Sequence, residues 1–178
     1  MIRLCFDYGH GGKDPGACYF GRKESQDVLS MGREVAKYVR QHGVIVDETR
    51  TGDVAVSLGE RCRFESKKKY DYFISFHRNA YKPEAAQGAE TYIHLNGGPK
   101  AYSLARSIQS SLVGLGFRDR GVKKANFYVL RETRAPAVLI EIGFIDNSRD
   151  NNLFTIKGGE IVGALGGAIL TCIGLTLI

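Results

Sequence analysis

Apolar residues along the chain alternate between two rhythms. Met1–Phe6 is a short apolar run that reads as a buried strand. Asp7–Lys23 interrupts it with Gly9, Gly11, Gly12, Pro15, Gly16 and Gly21, the make-up of a loop. From Glu24 the spacing turns helical. Val28, Met31, Val35, Tyr38 and Val39 share one face, and Gly43 supplies a stop. Val44–Val46 reads as a second strand and the charged stretch Ser57–Lys69 as a helix. Tyr72–Phe76 reads as a third strand that leads straight into His77. Ala89–Leu95 alternates like a half-buried strand. Tyr102–Leu115 places Leu104, Ile108, Leu112 and Leu115 at helical spacing. Phe127–Leu130 is expected to be a short strand, and Ala137–Ile142 is an apolar run broken by a single charge, Glu141. The remainder is expected to be loop and then a terminal helix over Ile161–Ile178.

This alternation of strands and helices predicts the α/β class: a single-domain sandwich with a mostly parallel, mixed central sheet flanked by helices on both faces. No repeat or linker divides the chain, so 1–178 is expected to be one catalytic-sized domain with no second, wall-recognising domain beside it. The final stretch is apolar enough to raise the question of a tail anchor. Its glycines and the helical spacing of Val162, Leu165, Ile169 and Ile173 favour a helix packed on the core, without stable membrane insertion.

Composition narrows the field. At 43% hydrophobic and 25% charged residues the chain is neither disordered nor collagenous. A net charge of +6 suits polyanionic surroundings: nucleic acid, an anionic membrane or a bacterial wall. No nucleic-acid motif and no basic stripe interleaved with aromatics is present, so nucleic acid is not the expected partner. Cys5, Cys18, Cys62 and Cys172 follow no framework spacing and read as reduced thiols. The opening MIRLCFDYGH has no signal-peptide run, which leads to the expectation of synthesis in a cytoplasm. A monomer is the expected state.

Ligand sites in sheets of this kind lie beyond the carboxyl ends of the strands. His10 follows the first strand, His77 ends the third, and Glu141 sits near the end of the Ala137–Ile142 run. Glu24, at the start of the first helix, can face the same rim. Two imidazoles and a carboxylate suit a catalytic Zn²⁺, with a second carboxylate to move a proton. Each residue also has a plainer reading. His10 could cap a turn, His77 could be a hydrogen-bonded strand end, and Glu24 could be a first-turn charge that complements the helix dipole. Glu141 needs a partner or a task, because an unpaired charge inside an apolar run is costly. Cys18 lies between two candidate ligands, but a thiolate better suits a structural site.

The ordered blocks Asp7-Tyr8-Gly9-His10-Gly11-Gly12-Lys13-Asp14-Pro15-Gly16-Ala17, Arg22-Lys23-Glu24, Ser75-Phe76-His77-Arg78-Asn79-Ala80, Arg120-Gly121-Val122-Lys123, Val129-Leu130-Arg131 and Pro136–Asn147 cover nearly the whole chain. With them the sequence resembles the zinc-dependent N-acetylmuramoyl-L-alanine amidases of the amidase-3 type, most of all the catalytic domains of phage endolysins. The resemblance implies one catalytic Zn²⁺ on His10, Glu24 and His77, with Glu141 as the acid/base. It implies hydrolysis of the amide between N-acetylmuramic acid and L-alanine in peptidoglycan. A lysin would be made in the host cytoplasm and act on the wall after release. A host sporulation or cell-division amidase, or a non-catalytic zinc-stabilised wall-binding module, are the alternatives. Arg78, Asn79 and Lys123 are expected to touch substrate. Tyr8 stands where a Pro is usual and Arg78 where a small residue is commoner; both are expected to shape the groove wall.

Overall fold

The computed structural model describes residues 1–175. The chain begins with β1 (Arg3–Tyr8), followed by a tiny antiparallel pair, β2 (Cys18–Tyr19) and β3 (Arg22–Lys23), and then α1 (Glu24–Arg40). Next come β4 (Ile45–Glu48), α2 (Leu58–Ser66), β5 (Tyr72–Asn79), β6 (Ala89–His94), α3 (Pro99–Gly114) and β7 (Asp119–Ala125). The chain then forms α4 (Tyr128–Glu132), β8 (Ala137–Phe144), α5 (Ser148–Ile156) and α6 (Gly158–Cys172).

Six strands form one sheet in the order β4-β1-β5-β8-β6-β7. Every neighbouring pair is parallel except β6 and β8, which run antiparallel. The expected α/β sandwich with a mostly parallel, mixed sheet is the fold found. Alternate strand residues serve two cores. Leu4, Phe6, Ile74, Phe76, Val138 and Ile140 pack with α1, α3 and α6. Cys5, Phe73, Ala137 and Leu139 face the other way, onto Cys62 of α2 and Val129 and Leu130 of α4. Burial on both sides is why β1, β5 and β8 read as apolar runs rather than as alternation. The second face has only the short α2 and α4 over it, and the room between them is where the functional cleft lies.

Three expectations need correction. Phe127–Leu130 is not a strand; the chain there opens α4, which points Val129 and Leu130 inward. The strand is β7, whose sequence DRGVKKA has no apolar alternation because it is the sheet's charged, half-buried edge. The stretch expected to be loop before the last helix holds α5, capped by the Asn147 side chain on the Asp150 N–H. With only Asp150 and Phe154 buried, α5 shows no apolar stripe. The terminal helix starts three residues before Ile161 and ends at Cys172, with Ile161, Leu165, Ile169 and Leu170 in the core. Positions 176–178 of the expected segment lie outside the described residues. Among the described residues no single helix is long and apolar enough to cross a membrane.

Candidate metal centre

The topology brings four separated residues to one edge. His10 follows β1, Glu24 is the first residue of α1, and His77 lies on β5. Glu141 on β8 stands directly beside His77 in the parallel register. Nε2 of His10 is 3.1 Å from Oε2 of Glu24, and Nδ1 of His77 is 2.9 Å from Oε1. The three donor atoms all lie within 4.8 Å of one another. Burial opposes ionisation of Glu24, but its hydrogen bonds with His10 and His77 prevail and hold its carboxyl well below the usual range. The Glu24 hydrogen bond in turn raises the pKa of His10 against the effect of burial. An ionised carboxylate between two imidazoles is a ready set for one divalent cation, with His and carboxylate donors of the kind Zn²⁺ accepts.

The surroundings aim these donors. Asp14 Oδ2 is 2.8 Å from Nδ1 of His10, which fixes the ring so that Nε2 faces Glu24. Ala17 N–H and Arg78 N–H donate to the two Glu24 oxygens at 3.1 Å each. Gly9 has no side chain because His77 occupies that space: a Cβ would lie 2.2 Å from the ring's Cε1. His10 itself has φ +61, a left-handed conformation that a non-glycine residue adopts only when held. Two buried arginines hold it. Arg61 donates to the carbonyls of Tyr8 and His10 and pairs with Asp7 at 2.7 Å. Arg50 donates to the carbonyls of Tyr8, Gly9 and Ser25 at 2.7–2.9 Å. Asp7 stays ionised despite complete burial, because Arg61, Thr49 and Ser75 satisfy it.

Glu141 is in the opposite condition. Its Oε2 is buried and has no hydrogen-bond partner. Burial first, and then the charges of Glu24 and Glu90, push its pKa well above the ordinary carboxyl range. It lines a cleft of about 490 Å³ together with His10 and His77, and Leu58, Phe127 and Tyr128 form an apolar wall. A buried, unpaired acid beside a cation-ready triad in a cleft is the arrangement a hydrolytic site requires.

The expected substrate contacts fare differently. Arg78 points away from the cleft. It is 2% exposed, pairs with Asp27 at 2.7 Å, donates to Asn151 and to the Phe144 carbonyl, and lies 4.2 Å above the Phe154 ring. Asn79 and Lys123 both donate to Glu90, the β6 residue in register with Glu141. Tyr8 does not shape the groove either. It is fully buried, its ring fills the space beside Gly32, where a Cβ would come within 2.2 Å, and its hydroxyl donates to Glu48 at 2.9 Å. Tyr8→Phe is therefore expected to cost about 1.5–3 kcal/mol of stability, the worth of a hydrogen bond to a charged group. Urea denaturation checks this. Asp14, Arg50, Arg61 and Glu90 are the participants that sequence reading passed over. Asp14, four residues beyond His10 in the same loop, carried the most legible signal.

The pattern of the N-acetylmuramoyl-L-alanine amidase family, amidase-3 type, matches residues 4–170, and the chain belongs to that family. It is 37% identical over 153 residues to N-acetylmuramoyl-L-alanine amidase CwlM of Bacillus licheniformis, covering 84% of this chain and 59% of that protein. It is 38% identical over 148 residues to the endolysin of Bacillus phage SPP1, covering 79% of this chain and 54% of that one. The sporulation-specific amidase of Bacillus subtilis matches at 36% over 155 residues, 85% of this chain and 60% of that one. The chain thus spans about 60% or less of the length of these relatives. The catalytic domain of the amidase CwlV of Bacillus (Paenibacillus) polymyxa superposes with a TM-score of 0.91 at 28% identity, covering 99% of this chain and all of that one.

Proposed function

We propose that the chain hydrolyses the amide joining the lactyl group of N-acetylmuramic acid to the first L-alanine of the peptidoglycan stem. His10, Glu24 and His77 would hold one Zn²⁺, and Glu141 would move the proton. The observation that carries this reading is the unpartnered Glu141 carboxyl beside a three-donor set. A structural zinc site closes with four ligands, whereas three leave a position for water. That feature also argues against a wall-binding module with a purely structural metal.

When bound, Zn²⁺ would acidify a water and polarise the scissile carbonyl. The rest falls to the chain. The Glu141 carboxyl, raised by burial and by Glu24 and Glu90, would be favoured as a carboxylate base with a cation held on His10, Glu24 and His77. Glu141 Oε2 then accepts the proton of the attacking water and delivers it to the leaving alanine nitrogen. Asp14 keeps the Nδ1 proton of His10 in place and Nε2 free. Leu58, Phe127 and Tyr128, each exposed, give the cleft an apolar wall against which the substrate can pack.

The test uses purified cell walls. Exhaustive chelation is expected to abolish hydrolysis, and added Zn²⁺ to restore it, with new amino-terminal alanine as the product. Full activity with elemental analysis showing no metal would overturn the mechanism. Release of reducing sugar ends instead of alanine would overturn the bond assignment. As for its setting, we favour a lysin made in a host cytoplasm and acting on the wall after release, a reading supported by the likeness to a phage endolysin. Cells expressing the chain are then expected to stay intact until their membrane is permeabilised and to lyse afterwards. A chain that degrades only sporulation-specific wall material would favour the sporulation alternative.

A further inference from the structure

Glu90 is 2% exposed yet carries a carboxylate with four donors around it. Asn79 Nδ2 and the Tyr92 hydroxyl donate to Oε1; Arg120 Nε and Lys123 Nζ donate to Oε2. One carboxylate thus faces two cations, which leaves an excess of one positive charge at this spot. The Arg120 side chain is 30% exposed and that of Lys123 38%. Arg120 spends only Nε on Glu90. Its two Nη atoms take no partner among the described residues, and its guanidinium rests 4.9 Å from the centre of the Phe144 ring. A guanidinium held at Nε and by its flat face, with both Nη atoms free, is set for bidentate capture of a carboxylate.

The position of this pair relative to the reacting bond gives it meaning. The inference rests on the amidase reading above. Glu141 must lie within hydrogen-bond reach of the leaving nitrogen, so the leaving peptide departs on the Glu141 side of the cleft. Beyond Glu141, away from His77, the next strand is β6 with Glu90 in register, and the one after it is β7 with Arg120 and Lys123. Strands lie about 4.8 Å apart, so this pair stands roughly 5–10 Å past Glu141. A peptide advances about 3.3–3.6 Å per residue, so that span reaches the second residue after the scissile amide. Phe127 of the cleft's apolar wall packs on Tyr92 of β6 with ring centres 5.0 Å apart, and Tyr92 donates to Glu90, so the cleft runs on continuously toward this pair.

We propose that Arg120 and Lys123 form a subsite for a free carboxylate on the second residue of the leaving stem peptide, and that this subsite sets a preference for acid over amide at that position. Glu90 is the positioning residue that holds both cations in place and keeps the empty site from carrying two bare charges.

The experiment compares two soluble probes with the zinc-loaded protein: an N-acetylmuramoyl-L-alanyl-γ-D-glutamyl peptide with a free α-carboxylate, and the same peptide with the α-carboxamide. The wild type is expected to show a lower KM for the acid by roughly 10- to 100-fold, the worth of charged hydrogen bonds, with similar kcat. Arg120→Gln and Lys123→Gln are each expected to raise KM for the acid while leaving KM for the amide nearly unchanged. Arg120→Lys keeps a cation on Glu90 and removes the fork, so it folds even if Arg120→Gln does not. It is expected to lose most of the discrimination. A wild type that hydrolyses both probes with equal KM, or an Arg120→Lys variant that discriminates as well as wild type, overturns the subsite and leaves the amidase reading standing. A wild type that cleaves neither probe overturns both.

Discussion

Glu141→Gln is expected to cut hydrolysis of purified walls by about 10²–10⁴-fold while zinc content stays near one per chain. Gln keeps the shape and still offers an oxygen, but an amide cannot take a proton from water at neutral pH. General-base catalysis supplies a factor of that size, roughly 3–5 kcal/mol of barrier. Metal retention follows because Glu141 is not among the three donors that converge on one point. Parallel measurement of metal content and of alanine release decides the matter. Loss of zinc together with activity would make Glu141 a ligand and move the base elsewhere. Lysis at the native rate would leave Glu141 as a buried carboxyl without a task.

The same substitution has a signed effect on stability in the metal-free protein. The native pKa of Glu141 is raised above its ordinary value of 4.5, by burial first and by Glu24 and Glu90 next. Between those two values the folded chain binds a proton that the unfolded chain has released. Stability therefore falls as pH climbs through that window. Glu141→Gln removes this dependence, so the metal-free variant is expected to gain on the wild type as pH rises from about 4.5 toward neutrality. Denaturation of both proteins across that range reads it directly, and a constant difference would refute it.

What the sequence made legible follows from where each signal lies. The core strands could be read because β1, β5 and β8 are buried on both faces and carry the apolar runs Leu4–Phe6, Tyr72–Ile74 and Ala137–Ile140. Glu141 stood out as the one charge in Ala137–Phe144. The charged edge strand β7 could not be read, because its pairing is set by β6 and not by its own apolar pattern. Phe127–Leu130 misled because four residues cannot separate strand from helix by period. In the site, His10, Glu24 and His77 are of metal-binding type at the ends of elements, so they could be named before their convergence was visible. Arg78 was misplaced because its position beside His77 in sequence says nothing about direction. Successive strand residues point to opposite faces, and Arg78 falls on the face packed by α1 and α5. Arg50 and Arg61 were invisible, because an arginine in a polar stretch reads as solvated until its partners are known.

Arg50 supports the most demanding of these expectations. It is 3% exposed, and its donors go to carbonyls: Tyr8 at the end of β1 and Gly9 just before His10, Ser25 directly after Glu24, and Gly52. One side chain thus ties together the backbones that carry two of the three donors. Arg50→Met would leave the Gly9 carbonyl unpaired, at about 1–3 kcal/mol, and take one of two donors from the Tyr8 carbonyl, which keeps Arg61. Relief from burying a cation without a carboxylate partner offsets part of that. A net loss of about 1–3 kcal/mol is expected, or roughly 2–12 °C in the melting temperature of a chain this size. Lost stability alone would not separate a staple from a device for the metal. Zinc affinity does, measured by competition with a chelator at a temperature where the variant is folded. Freed from Arg50, His10 can leave its φ +61 conformation and Glu24 can drift from it, so affinity is expected to fall about 10- to 100-fold, as when other supports of ligand geometry are removed. Arg50→Lys, which keeps the charge but not the fork, should fall between. An Arg50→Met protein that melts early yet binds zinc like the wild type would mean that the His10 loop keeps its shape unaided, with Arg61 alone sufficient to hold it.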